Sequence, residues 1–264
     1  MKRSVRPLLA LGAVLCSCAV GATDPATRNG YAFESPRVLA QQRLFGIAHG
    51  IGLLAAACRD VPASAQAAQD AYSAWRQRQQ PAIDAAVGEL SVYHFGAAVE
   101  WPALVQKLRL RETLGYAPDS AELQAACATL PQALSKPRYD LVARFRLEEF
   151  MARIVAATDI EARDHYCHDK LPDFPRELHA ARYEVWREIN EPAIQQASAT
   201  LVSDWPEEAP AASFAEWRTE LRRDTKPGGS TADCLAFSAS LKSPETALRN
   251  VFLLPPPPQR TNAK

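Results

Sequence analysis

At 264 residues, 47% apolar and 23% charged, the chain has the composition of an ordinary globular protein, long enough for one sizeable core or two smaller ones. Its 30 basic and 30 acidic side chains cancel, so no basic field exists to hold nucleic acid. Beyond the amino-terminal stretch, no run reaches the roughly eighteen uninterrupted apolar residues of a membrane helix, which argues against a transmembrane span in the rest of the chain.

Residues 1–22 read as an export signal, because Lys2, Arg3 and Arg6 precede an apolar stretch from Leu8 to Cys16 that small residues follow. Cleavage before Thr23 removes 22 of 264 residues and leaves 242, with 27 basic against 30 acidic side chains and a net charge of −3. A rival pattern overlaps the first. Leu15 stands three residues before Cys18, as in lipoprotein signals whose cysteine is lipidated after cleavage. Either pattern is of bacterial type and leads to a periplasmic or secreted protein, free or lipid-anchored to a membrane.

A linker over residues 23–36 leads into helical periodicity. Leu44, Ile47, Ala48, Ile51, Leu54, Ala55 and Cys58 fall on one stripe at spacings of three and four, as do Leu147, Phe150, Met151, Ile154 and Val155. Period-two alternation is almost absent, so the expected class is all-α. The stretch "YSAWRQRQQPAIDAA" at 72–86 returns as "YEVWREINEPAIQQA" at 183–197, with seven identities at a constant offset of 111 residues. Each copy lies between two cysteines. These matches predict an internally duplicated helical bundle with repeat units at 37–137 and 138–252, followed by a Pro-rich tail at 253–264. Expected helices in the first unit cover about 37–58, 64–90, 97–114 and 121–130; in the second, about 138–166, 176–202, 211–224 and 231–251. Pro81 and Pro192 each remove a backbone donor inside the second helix of a unit, which predicts a kink or restart there.

Four cysteines remain after cleavage in an oxidising compartment, an even count that favours disulfides. Reversing direction at each short loop brings the end of the first helix beside the start of the fourth. That geometry predicts Cys58 with Cys127 and Cys167 with Cys234.

Candidate sites are few. Trp75 with Arg76 and Trp186 with Arg187 present an aromatic and a cation twice, as a ligand or partner groove would. Adjacent helical positions do not face each other, however, and a recurring Tyr-x-x-Trp with Pro fits core packing better. "DHYCHD" at 164–169 is the densest set of metal-ligand types, with His165 and His168 three apart on one helical face and His179 the nearest recruit. A disulfide at Cys167 removes one ligand from that set. "GIGLLA" at 50–55 imitates a dinucleotide fingerprint but has no strand before it. Gly46 and Gly50 fit a close helix–helix approach instead.

No cofactor signature is present, and the common hydrolase, zinc-protease, phosphate-loop and haem-attachment motifs are missing. The expected function is therefore binding, either of an envelope or secreted protein or of a small ligand between the two units. The alternative is a metal-binding protein or enzyme, with a divalent metal around His165, His168 and His179.

Overall fold

Among the described residues of a computed structural model, which are 35–170, 174–207, 209 and 211–255, the chain forms eight α-helices and no strand. In order these are α1 (Pro36–Ala57), α2 (Ala65–Phe95), α3 (Trp101–Lys107), α4 (Ala121–Ala133), α5 (Leu141–Lys170), α6 (Arg176–Ser203), α7 (Phe214–Asp224) and α8 (Thr231–Ser240). None of them is long and apolar enough to cross a membrane. The expected signal, Cys18, and most of the linker and tail lie outside the described residues.

Local chemistry sets the helix ends. Pro36 occupies the first turn of α1, where its missing N–H costs nothing. Gly96, at φ +69°, closes α2 in the left-handed conformation. Ser120, Ser213 and Ser230 each accept a bond from the backbone N–H three residues on, capping α4, α7 and α8. At α8, Asp233 completes a capping box, and its bonds to the Ser230 backbone and hydroxyl hold the carboxyl below the usual carboxylate range.

Two helix boundaries need correction. The third helix is much shorter than 97–114. Pro102 sits in its first turn, and after Leu108 the N–H of Leu110 reaches Val105 O while that of Arg109 reaches Gln106 O. This is the Schellman closure, with Arg109 at φ +53° in the place Gly usually takes. The last helix likewise ends at Ser240 instead of 251. Pro244 forces Ser243 out of helical conformation, to ψ 152°, and two short 3-10 turns follow at Pro244–Thr246 and Leu248–Asn250. Helices α2 and α6 are each continuous through Pro81 and Pro192, so of the expected kink or restart the restart is not seen.

Three apolar clusters hold the molecule. Trp75, Ile83, Leu44, Leu130 and the Cys58–Cys127 pair occupy one; Val38, Phe45, Leu90 and Leu104 a second; and Phe150, Trp186, Leu201, Phe214 and the Cys167–Cys234 pair a third. Helix α1 packs along both α2 and α5. Across that contact Arg43 pairs with Glu148 at 2.7 Å. Arg37 pairs with Glu89 of α2 at 2.5 Å and lies over the Phe145 ring of α5, 5.4 Å from its centroid. Gly46 and Gly50 are not points of close approach: a Cβ at either would meet nothing within 4 Å.

Candidate functional site

Both disulfides pair as the helix geometry predicts, Cys58 with Cys127 and Cys167 with Cys234, with Cα separations of 5.5 and 5.7 Å. Each ties the end of a long helix (α1, α5) to a short one (α4, α8). Trp75 and Trp186 are 1% and 2% exposed. Their indole N–H groups donate to Tyr139 O and Thr246 O, each at 2.8 Å. The rings lie in separate cores and line no open surface. Arg76 donates to Tyr72 Oη at 3.2 Å and lies over Trp101, whereas Arg187 is exposed beside Glu191.

One turn beyond each tryptophan sits a buried amide invisible to the sequence reading. Gln79 Oε1 accepts from Leu141 N at 2.9 Å, and Asn190 Oδ1 accepts from Leu248 N at 2.8 Å. Tertiary contacts 62 and 58 residues apart leave no local pattern to detect.

All of "DHYCHD" falls in α5. His165 is exposed, and exposed His168 contacts its neighbour Asp169 at 2.9 Å. His179, in the first turn of α6, is fully buried between Phe174 and Phe237, with Nε2 2.9 Å from Asp164 Oδ1. Among the described residues Nδ1 has no partner. Burial lowers the His179 pKa and outweighs the opposing pull of Asp164. Nearby Tyr183 is pushed up to about 12, by burial first and by the Asp164 and Glu161 charges next. Among the described residues no three His, Cys, Asp or Glu side chains converge to hold a metal. Three residues before Cys58 stands Ala55, and seven before Trp75 stands Ala68, where the carboxy-terminal half has Asp164 and His179.

A recess among the described residues lies elsewhere, in the amino-terminal half. Because α3 stops early, residues 109–119 form a loop that arches over the end of α1. Between them is a cleft of about 300 Å³ lined by Leu53, Ala56, Ala57 and Val61 on one side and by Leu114, Tyr116, Pro118 and Leu123 on the other. This is the lower end of the size range of small-molecule sites. Asp60, Glu112 and Asp119 stand at its edge. Two unusual backbone conformations bracket the loop, Arg109 at φ +53° and Asp119 at φ +62°.

His49 positions the loop. Trp101 Nε1 approaches His49 Nδ1 at 3.3 Å, and an indole N–H can only donate. Nδ1 is therefore the acceptor, Nε2 carries the proton, and it donates to Arg111 O at 2.7 Å. Phe45 packs against the same Trp101 ring, with centroids 4.2 Å apart. A core aromatic and a neutral imidazole thus hold the loop against α1.

Comparisons of the chain with protein-family models, with curated proteins and with solved structures find no match. The functional reading rests on the chain's own chemistry.

Proposed function

We propose that this chain is an exported binding protein, an internally duplicated bundle of two disulfide-stapled four-helix units, that takes a small ligand in the cleft between α1 and the 109–119 loop. Duplication is supported by paired geometry beyond the quoted repeat. Each half has a Trp donating to a carbonyl of a Pro-initiated 3-10 turn and an amide side chain accepting from a leucine N–H just beyond it. Those segments also share a pattern, Leu134, Pro137 and Leu141 against Leu241, Pro244 and Leu248. Export is supported by the signal pattern of residues 1–22 and by two disulfides, which persist in oxidising compartments.

The observation that carries binding is the cleft itself: a recess lined mainly by apolar side chains, with Asp60, Glu112, Thr113 and Asp119 among them, has the usual make-up of a ligand site. The neutral fluorophore N-phenyl-1-naphthylamine tests it. Saturable fluorescence enhancement is expected with the folded protein. Ala56→Trp places a large ring at an exposed cleft-lining position and should abolish the enhancement while leaving the melting temperature in place. No enhancement with the parent protein, or equal enhancement with the filled variant, overturns the cleft as the binding site.

A further inference from the structure

The contact that holds the 109–119 loop against α1 exists in one protonation state only. His49 stands between two partners: Trp101 Nε1 donates to its Nδ1 at 3.3 Å, and its Nε2 donates to Arg111 O at 2.7 Å. Trp101 is held from both sides, by Phe45 with ring centroids 4.2 Å apart and by Arg76 of α2, 5.8 Å from its ring. An indole N–H never accepts, so a second proton on the imidazole sets two donors face to face. The protonated ring has to turn its Nδ1–H towards water, and the Arg111 carbonyl either loses Nε2 or is drawn along with it. Water reaches the ring, since His49 is half-buried. The titratable and charged groups on the elements around this contact are Tyr72 and Arg76 of α2, bonded to each other, Lys107 at the end of α3, over Phe95, and Arg111 and Glu112 of the loop. Among the described residues no carboxylate pairs with His49. Nine residues before Cys167, where the first half has His49 before Cys58, stands Thr158, so this arrangement belongs to the cleft-bearing half alone.

We propose that His49 is a pH-sensitive latch: neutral, it pins the 109–119 loop over the cleft, and protonated, it releases the loop and opens the recess. Imidazole is the side chain whose charge changes between about pH 5 and 8. The loop is therefore pinned at the upper end of that range and released at the lower. The latch stands on the two contacts of His49; its effect on a ligand rests on the cleft being the binding site.

Nuclear magnetic resonance of the ligand-free protein reads the latch directly. At the neutral end the His49 ring should carry its proton on Nε2. Between about pH 7.5 and 5.5 the amide resonances of 112–117 should shift with the same midpoint as that ring. His49→Phe should leave those resonances flat, with His94 and His179 still present as internal controls. The second readout is N-phenyl-1-naphthylamine, which carries no charge over this range. Its dissociation constant should rise about threefold to tenfold on acidification, the effect of one lost hydrogen bond, and stay weak and independent of pH in His49→Phe. A proton on Nδ1 at the neutral end, or loop resonances that do not follow the ring, overturns the latch whatever the probe does. A loop that follows the ring with no change in probe affinity overturns its control of the cleft. If the probe binds at no pH, the cleft reading falls, and the resonances still decide the latch.

Discussion

Replacing Gln79 by Ala isolates the contact that joins α2 to the start of α5. In the parent protein Gln79 Oε1 accepts from Leu141 N at 2.9 Å, with Leu141 fully buried. Asp140 already caps the next two amides, Val142 N and Ala143 N. Among the described residues Leu141 N therefore depends on Gln79 alone. Leaving a buried N–H without an acceptor costs about 1–3 kcal/mol. Lost contacts of the side-chain methylenes add about 1 kcal/mol, and the better helix propensity of Ala returns a few tenths. The net expectation is a loss of about 2–3 kcal/mol, or roughly 4–12 °C in melting temperature for a chain of this size. Urea unfolding with an unchanged slope measures it. Gln80→Ala is the control: its neighbouring side chain donates only to Asp84 on the surface, and its loss should stay within about 0.5 kcal/mol. If Gln79→Ala costs no more than the control, the amide of Leu141 has another acceptor and the account of the α2–α5 junction is wrong.

Further expectations can be checked together. Replacing Cys58 and Cys127 by Ala opens a loop of 69 positions and should cost about 4 kcal/mol in the loop-entropy picture, with hydrogen exchange rising first in α1, α2 and α4 and only later in α5 to α8. Gly46→Ala and Gly50→Ala, both inside α1 with open space for a Cβ, should each stabilise by about 0.5–1 kcal/mol; a loss on thermal melting would show a contact that the geometry lacks. His49→Phe keeps the ring but removes both polar contacts to Trp101 and Arg111, and should weaken probe binding in the cleft severalfold without altering helix content by circular dichroism. Burial keeps the folded-state pKa of His179 below its unfolded value, so the unfolded chain takes up that proton first as pH falls. The stability held by neutral His179 is therefore present above about pH 6.5 and is lost as pH falls through the depressed folded value. The double variant Asp164→Ala, His179→Ala should flatten the fall in melting temperature below that pH, and an unchanged profile would assign the acid sensitivity to other groups.

Much of this architecture can be read from local pattern, and the exceptions have physical causes. Stripes at spacings of three and four mark the long helices, since their buried faces are set by residues within one or two turns. The disulfide pairing follows from helix direction and cysteine position together. The burial of Trp75 and Trp186 follows from the recurrence of Tyr and Pro at fixed distances from them. What escapes is whatever depends on a partner far along the chain. Gln79 and Asn190 look like ordinary polar residues on helical surfaces until Leu141 and Leu248 fold over them. The cleft escapes for a different reason: Arg109 closes α3 in a conformation that usually announces itself by Gly, so the helical pattern reads on to residue 114. His179 stands out by type, but nothing in its neighbourhood announces that Phe174 and Phe237 will enclose it.

The order of the two disulfides bears on how the chain reaches this structure. Each cysteine is bonded to the next one described along the polypeptide, Cys58 to Cys127 and then Cys167 to Cys234. A chain that threads through a channel from its amino terminus presents Cys127 while Cys167 is still behind it. Simple oxidation in order of emergence therefore gives the native linkage. On the proposed export route, with the signal removed, the interleaved and nested arrangements, which would need reshuffling by an isomerase, would be bypassed, and the amino-terminal half could be locked before the carboxy-terminal half had been delivered.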